Sequence, residues 1–275
     1  MTEDISIITG PMPGPASMVL VGVHGNETCG IEALQSILPN LVLQKGKVFF
    51  GYGNPQAIAA GKRFVGANLN RMYKNDSLFS AEEKMSYEYG RAQFLKTYFD
   101  QVDALLDVHA SFTPESQPFA ICEQNSRGIV EYLPVNRVVA GFNEIEPGGT
   151  DYYMNTRGKV GICVECGYLG DPKAVEVAQA SILNFLKARG HLTNDIVPQE
   201  QVHIRMDRLY ITKTAQFTLA KDFADFESVS QGQRIGIDGA EEVLAEKDGI
   251  ILLARNRNQI GDEAFLFGAK ESSLA

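Results

Sequence analysis

Residues 18–23, Met-Val-Leu-Val-Gly-Val, are apolar without a break and stop at His24. The run is too short for a buried helix and has no polar face, so it describes a strand covered on both sides. A strand of that kind needs helices above and below it, which commits the chain to an α/β architecture. The next segments keep to that rule. His24-Gly25-Asn26 reads as a turn, Glu27 to Leu38 as a helix stopped by Pro39-Asn40, and Lys47 to Tyr52 as a second strand closed by Gly53-Asn54-Pro55. Ser80 to Phe99 reads as a single helix, with a capping box from Ser80 and Glu83 and an apolar stripe of Met85, Tyr89, Ala92, Leu95 and Phe99. Ala104 to Val108, Phe119 to Cys122 and Lys159 to Glu165 supply further strands. A helix opens at Asp171-Pro172 and is closed by Gly190.

Beyond about residue 195 the 3.6-residue period disappears. Short β-type runs replace it (Leu209 to Thr212, Arg234 to Ile237, Gly249 to Leu253), separated by turns at Gly232, Asp238-Gly239, Asp248-Gly249 and Gly261-Asp262. The expected organisation is a catalytic α/β domain over residues 1–195 and a small all-β domain over 196–275.

Charge narrows the partners. A net charge of -9 excludes nucleic acid and an anionic membrane surface, though a local group of arginines can still receive a small anion. The acidic start Met1-Thr2-Glu3-Asp4 lacks the basic opening of a signal peptide, and no apolar run reaches the roughly 20 residues that span a bilayer. Cys29, Cys122, Cys163 and Cys166 have no framework spacing. Reduced thiols in a cytoplasmic protein are the plain expectation. Self-association into a homo-oligomer stays open.

The chemistry gathers at strand ends. A catalytic zinc takes three protein ligands and keeps one position for water. His24 and Glu27 straddle the end of the first strand, and His109 in Leu106-Asp107-Val108-His109 ends another, so the three can meet at one edge of the sheet. The plainer alternative is two satisfied core histidines. His191 and His203 read as solvated or structural. Glu165 ends the apolar strand Val160-Gly161-Ile162-Cys163-Val164, where a carboxylate is costly unless it is paired or works as a base. Arg63 and Arg71 lie in a turn-rich stretch and suit either a carboxylate clamp or a solvated surface. The Cys163 and Cys166 pair sits on a strand and not at a helix start, which favours buried inert thiols over redox chemistry.

Together, His24-Gly25-Asn26-Glu27, Gly53-Asn54-Pro55, Arg63, Asn68-Leu69-Asn70-Arg71, Asp107-Val108-His109 and Val164-Glu165-Cys166-Gly167 resemble the succinylglutamate desuccinylase/aspartoacylase family of zinc carboxypeptidase-like hydrolases. The resemblance covers roughly residues 18 to 170 in family order, and the β-rich tail has a family counterpart. It implies a mixed sheet with helices on both faces and a C-terminal β domain bordering the active-site entrance. It also implies one Zn2+ per chain on His24, Glu27 and His109, Glu165 as general base and Arg63 on the scissile carbonyl. Asn70 and Arg71 would hold a substrate carboxylate, and Arg157 is eligible for a further substrate arginine expected before the base. The implied reaction is hydrolysis of a small anionic N-acyl amino acid. A metallocarboxypeptidase acting on short peptides and a binding protein with a vestigial metal site are the rival readings. Two departures bear on substrate: Asn68 stands where the family often has aspartate, and Cys166 where an aliphatic residue is commoner.

Overall fold

The computed structural model describes residues 4–193 and 195–271; the extreme ends of the two expected domains lie outside the described residues. In chain order the first part holds β1 (Ile5–Thr9), β2 (Met12–Val21), α1 (Cys29–Ile37), β3 (Lys45–Tyr52), α2 (Pro55–Ala60), α3 (Ala81–Met85) and α4 (Tyr87–Phe99). Next come β4 (Ala104–Ser111), β5 (Phe119–Cys122), β6 (Arg137–Ala140), α5 (Phe142–Ile145), α6 (Thr150–Asn155), β7 (Val160–Tyr168) and α7 (Ala174–Ala188). The tail is all β: β8 (Val202–Ile211), β9 (Phe217–Leu219), β10 (Glu227–Val229), β11 (Arg234–Asp238), β12 (Glu241–Leu244), β13 (Gly249–Leu252) and β14 (Glu263–Lys270).

The main sheet runs β1-β3-β2-β4-β7-β5-β6-β8-β14-β13-β10, with β3, β2, β4 and β7 parallel. Alternation along the strands fills both faces. Val19, Val21, Leu106 and Val108 pack with α1 and α7, whereas Met18, Leu20 and Leu105 pack with α4 and α6. The fold class is therefore the expected one, a mixed sheet with helices on both faces. No helix among the described residues is long and apolar enough to cross a membrane.

Three features differ from expectation. The helix expected from Ser80 to Phe99 is two helices, because Ser86 takes an extended conformation (ψ 151°) and its hydroxyl accepts from Tyr89 N–H as a second N-cap. Met85 is thereby turned to solvent at 80% exposure, while Ala92, Leu95 and Phe99 stay in the core. The Ser80–Glu83 capping box is present. Second, α1 begins at Cys29, which leaves Glu27 in the turn before it. Third, the tail is joined to the main sheet: β8 pairs in parallel with β6, and β14, β13 and β10 extend the ladder outward. One apolar cluster spans the junction, with Phe119, Val139 and Cys163 from the first part against Ile204, Leu252 and Leu266 from the tail. The separate sheet β12-β11-β9 closes the tail's own core around Phe217, Ile235 and Phe265.

Candidate active site

Strands β2, β4 and β7 run parallel, so their C-terminal ends share one edge of the sheet, and that edge carries the candidate residues. The turn after β2 is held tight by Gly25, where a Cβ would lie 2.1 Å from the Ala57 carbonyl carbon of α2. Only glycine lets the turn lie against α2, and this aims His24 and Glu27 back over the strand ends. Glu27 bridges both histidines. One carboxylate oxygen is 2.8 Å from His24 Nδ1 and the other 2.9 Å from His109 Nδ1, and all three side chains are buried. Their ligand atoms lie within 4.8 Å of one another.

His24 Nε2 is 3.0 Å from Asn68 Oδ1, an acceptor, so this ring carries its proton on the outer nitrogen. Its inner Nδ1, buried without a hydrogen-bond partner, therefore turns a lone pair towards the Glu27 carboxylate 2.8 Å away, an arrangement that a cation would satisfy. His109 lies between two carboxylates, with Nδ1 2.9 Å from Glu27 Oε2 and Nε2 2.9 Å from Asp107 Oδ2. Although burial opposes it, Asp107, then Cys163 and Glu27, raise His109 well above the usual imidazole range, so positive charge is favoured beside Glu27. Burial would raise the Glu27 carboxyl, yet His24 and His109 bring it well below its usual value. The His-Glu-His set thus fits a divalent metal on geometry and on charge.

Glu165 sits beside this group, its Cα paired in register with that of His109. Burial pushes its carboxyl up to about 8, partly offset by His109, and its Oε2 is buried without a partner. Cys163 and Glu165 face the pocket, whereas Cys166 lies in the opposite core, as strand alternation requires. All four thiols are free and buried. Burial pushes the Cys122 thiol up to about 12 and raises Cys163 and Cys166 as well.

The loop between α2 and α3 delivers Arg63, Asn68, Asn70 and Arg71. It is moored by the buried Glu88 carboxylate, which accepts from the backbone N–H of Val65, Gly66 and Ala67 and from Asn54 Nδ2. Asn54 caps α2 through the same side chain. Arg63 donates to Glu27 Oε1 at 2.8 Å and lines the pocket. Asn70 Oδ1 accepts from the N–H of Thr150, whose hydroxyl donates to Asp107 Oδ2 at 2.6 Å.

A chain with this fold, this edge and this residue set has a recognised counterpart. A model of the succinylglutamate desuccinylase/aspartoacylase catalytic domain matches residues 13–189. The chain belongs to the succinylglutamate desuccinylase/aspartoacylase family. Among relatives, an N-alpha-acetyl-L-2,4-diaminobutyric acid deacetylase of Halomonas elongata is 27% identical, aligned over 88% of this chain and 78% of its own. A succinylglutamate desuccinylase of Idiomarina loihiensis is 24% identical over 92% and 82% of the two chains. The crystal structure of a succinylglutamate desuccinylase from Vibrio parahaemolyticus superposes with a TM-score of 0.82 at 17% identity, covering 98% of this chain and 86% of that one. That last likeness concerns the fold.

Of the two arginines that the resemblance assigns to the substrate, Arg71 lines the pocket and Arg157 does not. Arg157 follows the end of α6, donates to the Tyr153 carbonyl and lies 3.5 Å from the centre of the Tyr153 ring. Arg71 does line the pocket, but its guanidinium is already engaged by Glu263, at 2.9 and 3.0 Å, and by Glu146. Burial, reinforced by Glu263 and Asp151 against Arg71, pushes the Glu146 carboxyl up to about 8. Burial would raise Glu263 too, but Arg71 outweighs it there and brings that carboxyl down to about 2. The pair therefore keeps one proton, on Glu146, at neutral pH. Burial also pushes Asp151, on α6, up to about 6. Sequence reasoning missed Glu146, Asp151, Arg255 and Glu263 on the pocket wall. Glu263 had a signal, a carboxylate opening the apolar strand Glu-Ala-Phe-Leu-Phe. Glu146 and Arg255 sit in loops and had none.

Proposed function

We infer that the protein is a zinc-dependent amidohydrolase that cleaves the amide bond of an N-acyl amino acid, releasing a carboxylic acid and a free amino acid. The observation that carries this reading is the convergence of His24 Nδ1 and His109 Nδ1 on the two oxygens of Glu27, beside Glu165, whose Oε2 is buried without a partner. The names of the relatives, a deacetylase and a desuccinylase, point the same way.

His24, Glu27 and His109 would hold the ion, with Asn68 and Asp107 orienting the two rings from behind. Zinc bound there supplies a water acidic enough to ionise near neutral pH and a positive charge for the carbonyl oxygen. Burial raises the Glu165 carboxyl to about 8, and positive charge held on the neighbouring His24-Glu27-His109 group would favour the carboxylate form that accepts a proton. Glu165 takes the proton of the attacking water and later returns it to the leaving nitrogen, so the free amine departs neutral. Arg63, whose guanidinium reaches the same edge, stabilises the negative charge that develops on the carbonyl oxygen. Asn70 braces the wall through Thr150. The buried, free thiols suit a reducing cytoplasm.

The test is a hydrolysis screen of zinc-loaded protein against acetyl, succinyl and longer-chain acyl amino acids, with dipeptides alongside. Glu165→Gln should retain stoichiometric zinc and lose at least about 100-fold in kcat on the best substrate. Turnover close to that of the unmodified protein removes Glu165 from the mechanism, and preference for dipeptides turns the reading towards a carboxypeptidase.

A further inference from the structure

The arginine that the family pattern assigns to a substrate anion, Arg71, is neutralised by Glu263 and held by protonated Glu146, and Arg157 lies over the Tyr153 ring and does not line the pocket. A different guanidinium faces it. Arg255, from the segment after β13, lines the pocket together with Arg63 and Glu165. Among the described residues no carboxylate pairs with Arg255, and its Nε is buried without a hydrogen-bond partner. Its carbon lies 3.9 Å from the centre of the Phe112 ring, which holds the planar head in place without neutralising it. Burial, then Arg257 and Arg63, bring its pKa down to about 10, so it stays charged at neutral pH beside two further cations.

The backbone that presents Arg255 is built for the purpose. Leu253, a non-glycine residue, is held at φ 54°, a conformation that costs of order 1–3 kcal/mol and persists only where neighbours impose it. The neighbour is Asp225. One of its oxygens accepts the Leu253 N–H at 2.8 Å, and the other takes the hydroxyls of Ser111 and Ser116. Ser111 ends β4, two residues beyond His109, so the same carboxylate ties the Arg255 segment to the strand that carries a metal ligand. Arg255 and Phe112 also line an outer cavity of about 480 Å³, between the loop after β4 and the tail, and so stand at the boundary of the inner pocket.

We propose that Arg255 is the specificity-determining residue that receives a carboxylate of the substrate while the amide lies at the His24-Glu27-His109 group. This rests on the amidohydrolase reading and assigns to the tail a direct part in choosing the substrate. A planar guanidinium with an unused Nε–H and a free face is suited to bidentate pairing with a carboxylate, and burial strengthens each such bond.

The test uses the zinc-loaded full chain carrying Glu165→Gln, so that ligands bind without turnover. The probes are N-succinyl-L-glutamate, N-acetyl-L-aspartate and N-acetyl-L-2,4-diaminobutyrate, each compared by calorimetric titration with the analogues in which one carboxylate at a time is a carboxamide. With Arg255 in place, one carboxylate of at least one probe should bind about 10- to 100-fold tighter than its carboxamide. Arg255→Met, which keeps the length of the side chain, should abolish most of that preference with zinc content and melting temperature unchanged, and Arg255→Lys should recover part of it. Undiminished preference in Arg255→Met overturns the proposal, as does failure of every probe to bind. Binding with the expected preference, together with no hydrolysis of any probe by the chain that keeps Glu165, sinks the amidohydrolase reading and leaves Arg255 as the carboxylate receptor.

Discussion

Glu146→Gln isolates the charge triad at the pocket wall. Arg71 lies between Glu146 and Glu263, and the surroundings push the Glu146 carboxyl from 4.5 up to about 8. A carboxyl whose folded pKa exceeds its unfolded value gives the folded state an extra proton between those two values. Stability is therefore fully present below pH 4.5, falls as pH rises, and is lost once pH passes about 8. Between pH 6 and 9 the loss approaches two pH units at 1.36 kcal/mol each, about 3 kcal/mol, most of it below pH 8. Glutamine imitates the protonated acid: its carbonyl accepts from Arg71 and its amide donates towards Glu263. The variant should thus lie within about 1 kcal/mol of the parent at pH 6 and exceed it by about 3 kcal/mol at pH 9. Urea unfolding followed by circular dichroism at both pH values measures this, on protein stripped of metal so that a bound dication adds nothing to the field on Glu146. Glu165, Asp151 and the histidines titrate in both proteins, and the difference between the two removes them. Parallel pH profiles for parent and variant would refute the placement of the proton on Glu146.

Two further substitutions probe the edge of the sheet. Asn68→Asp places a carboxylate behind His24 Nε2 where an amide now stands, and should tighten zinc binding by about 10-fold in competition with a fluorescent chelator; unchanged or weaker affinity contradicts the orienting role of Asn68. Glu88→Gln turns an amide N–H2 towards backbone N–H donors and should cost about 2–3 kcal/mol in urea unfolding at pH 7. Although burial opposes it, several hydrogen bonds hold the Glu88 carboxyl below its usual value, so its contribution is present above about pH 4.5 and fades on acidification through the folded value. A variant as stable as the parent at pH 7 would show that the loop holds without it.

The grouping of His24, Glu27, His109 and Glu165 at one edge of the sheet was legible in the sequence because these residues interrupt strong patterns. His24, His109 and Glu165 each close an apolar run of the sequence, although β4 and β7 continue past His109 and Glu165, and a polar group in that position has few structural uses. The fold class followed from the same strands. The long helix was misjudged at Ser86, where a local hydroxyl cap overrides an apolar period that runs straight through it. Strands β1 and β6 carry too little pattern to be seen: β1 leaves Ile7 at 51% exposure, and β6 is four residues long. The acidic and basic wall of the pocket was least legible of all. The Arg71–Glu263 pair joins residues 192 apart, and it depends on the register of β14 against β8, which no local period encodes.

That register also explains how charge is divided across the pocket. On the strand-end side, Glu27, Asp107, Asp151 and Glu165 gather around two histidines and call for a cation. On the tail side, Arg255 and Arg257 repel each other and Arg63, which is itself paired with Glu27, and Arg255 has no carboxylate partner among the described residues, an arrangement that suits an anion. Arg71, with Glu263 and protonated Glu146, forms a neutral partition between the two. A wall built in that way sorts ligands by the spacing of their own charges. A substrate that brings a polarisable carbonyl to the first side and a carboxylate to the second satisfies both, whereas a neutral amide leaves the guanidinium of Arg255 buried and unpaired. Because β8 and β14 are hydrogen-bonded into the main sheet, the register that pairs them also sets where the tail's wall of the pocket stands against the strand ends.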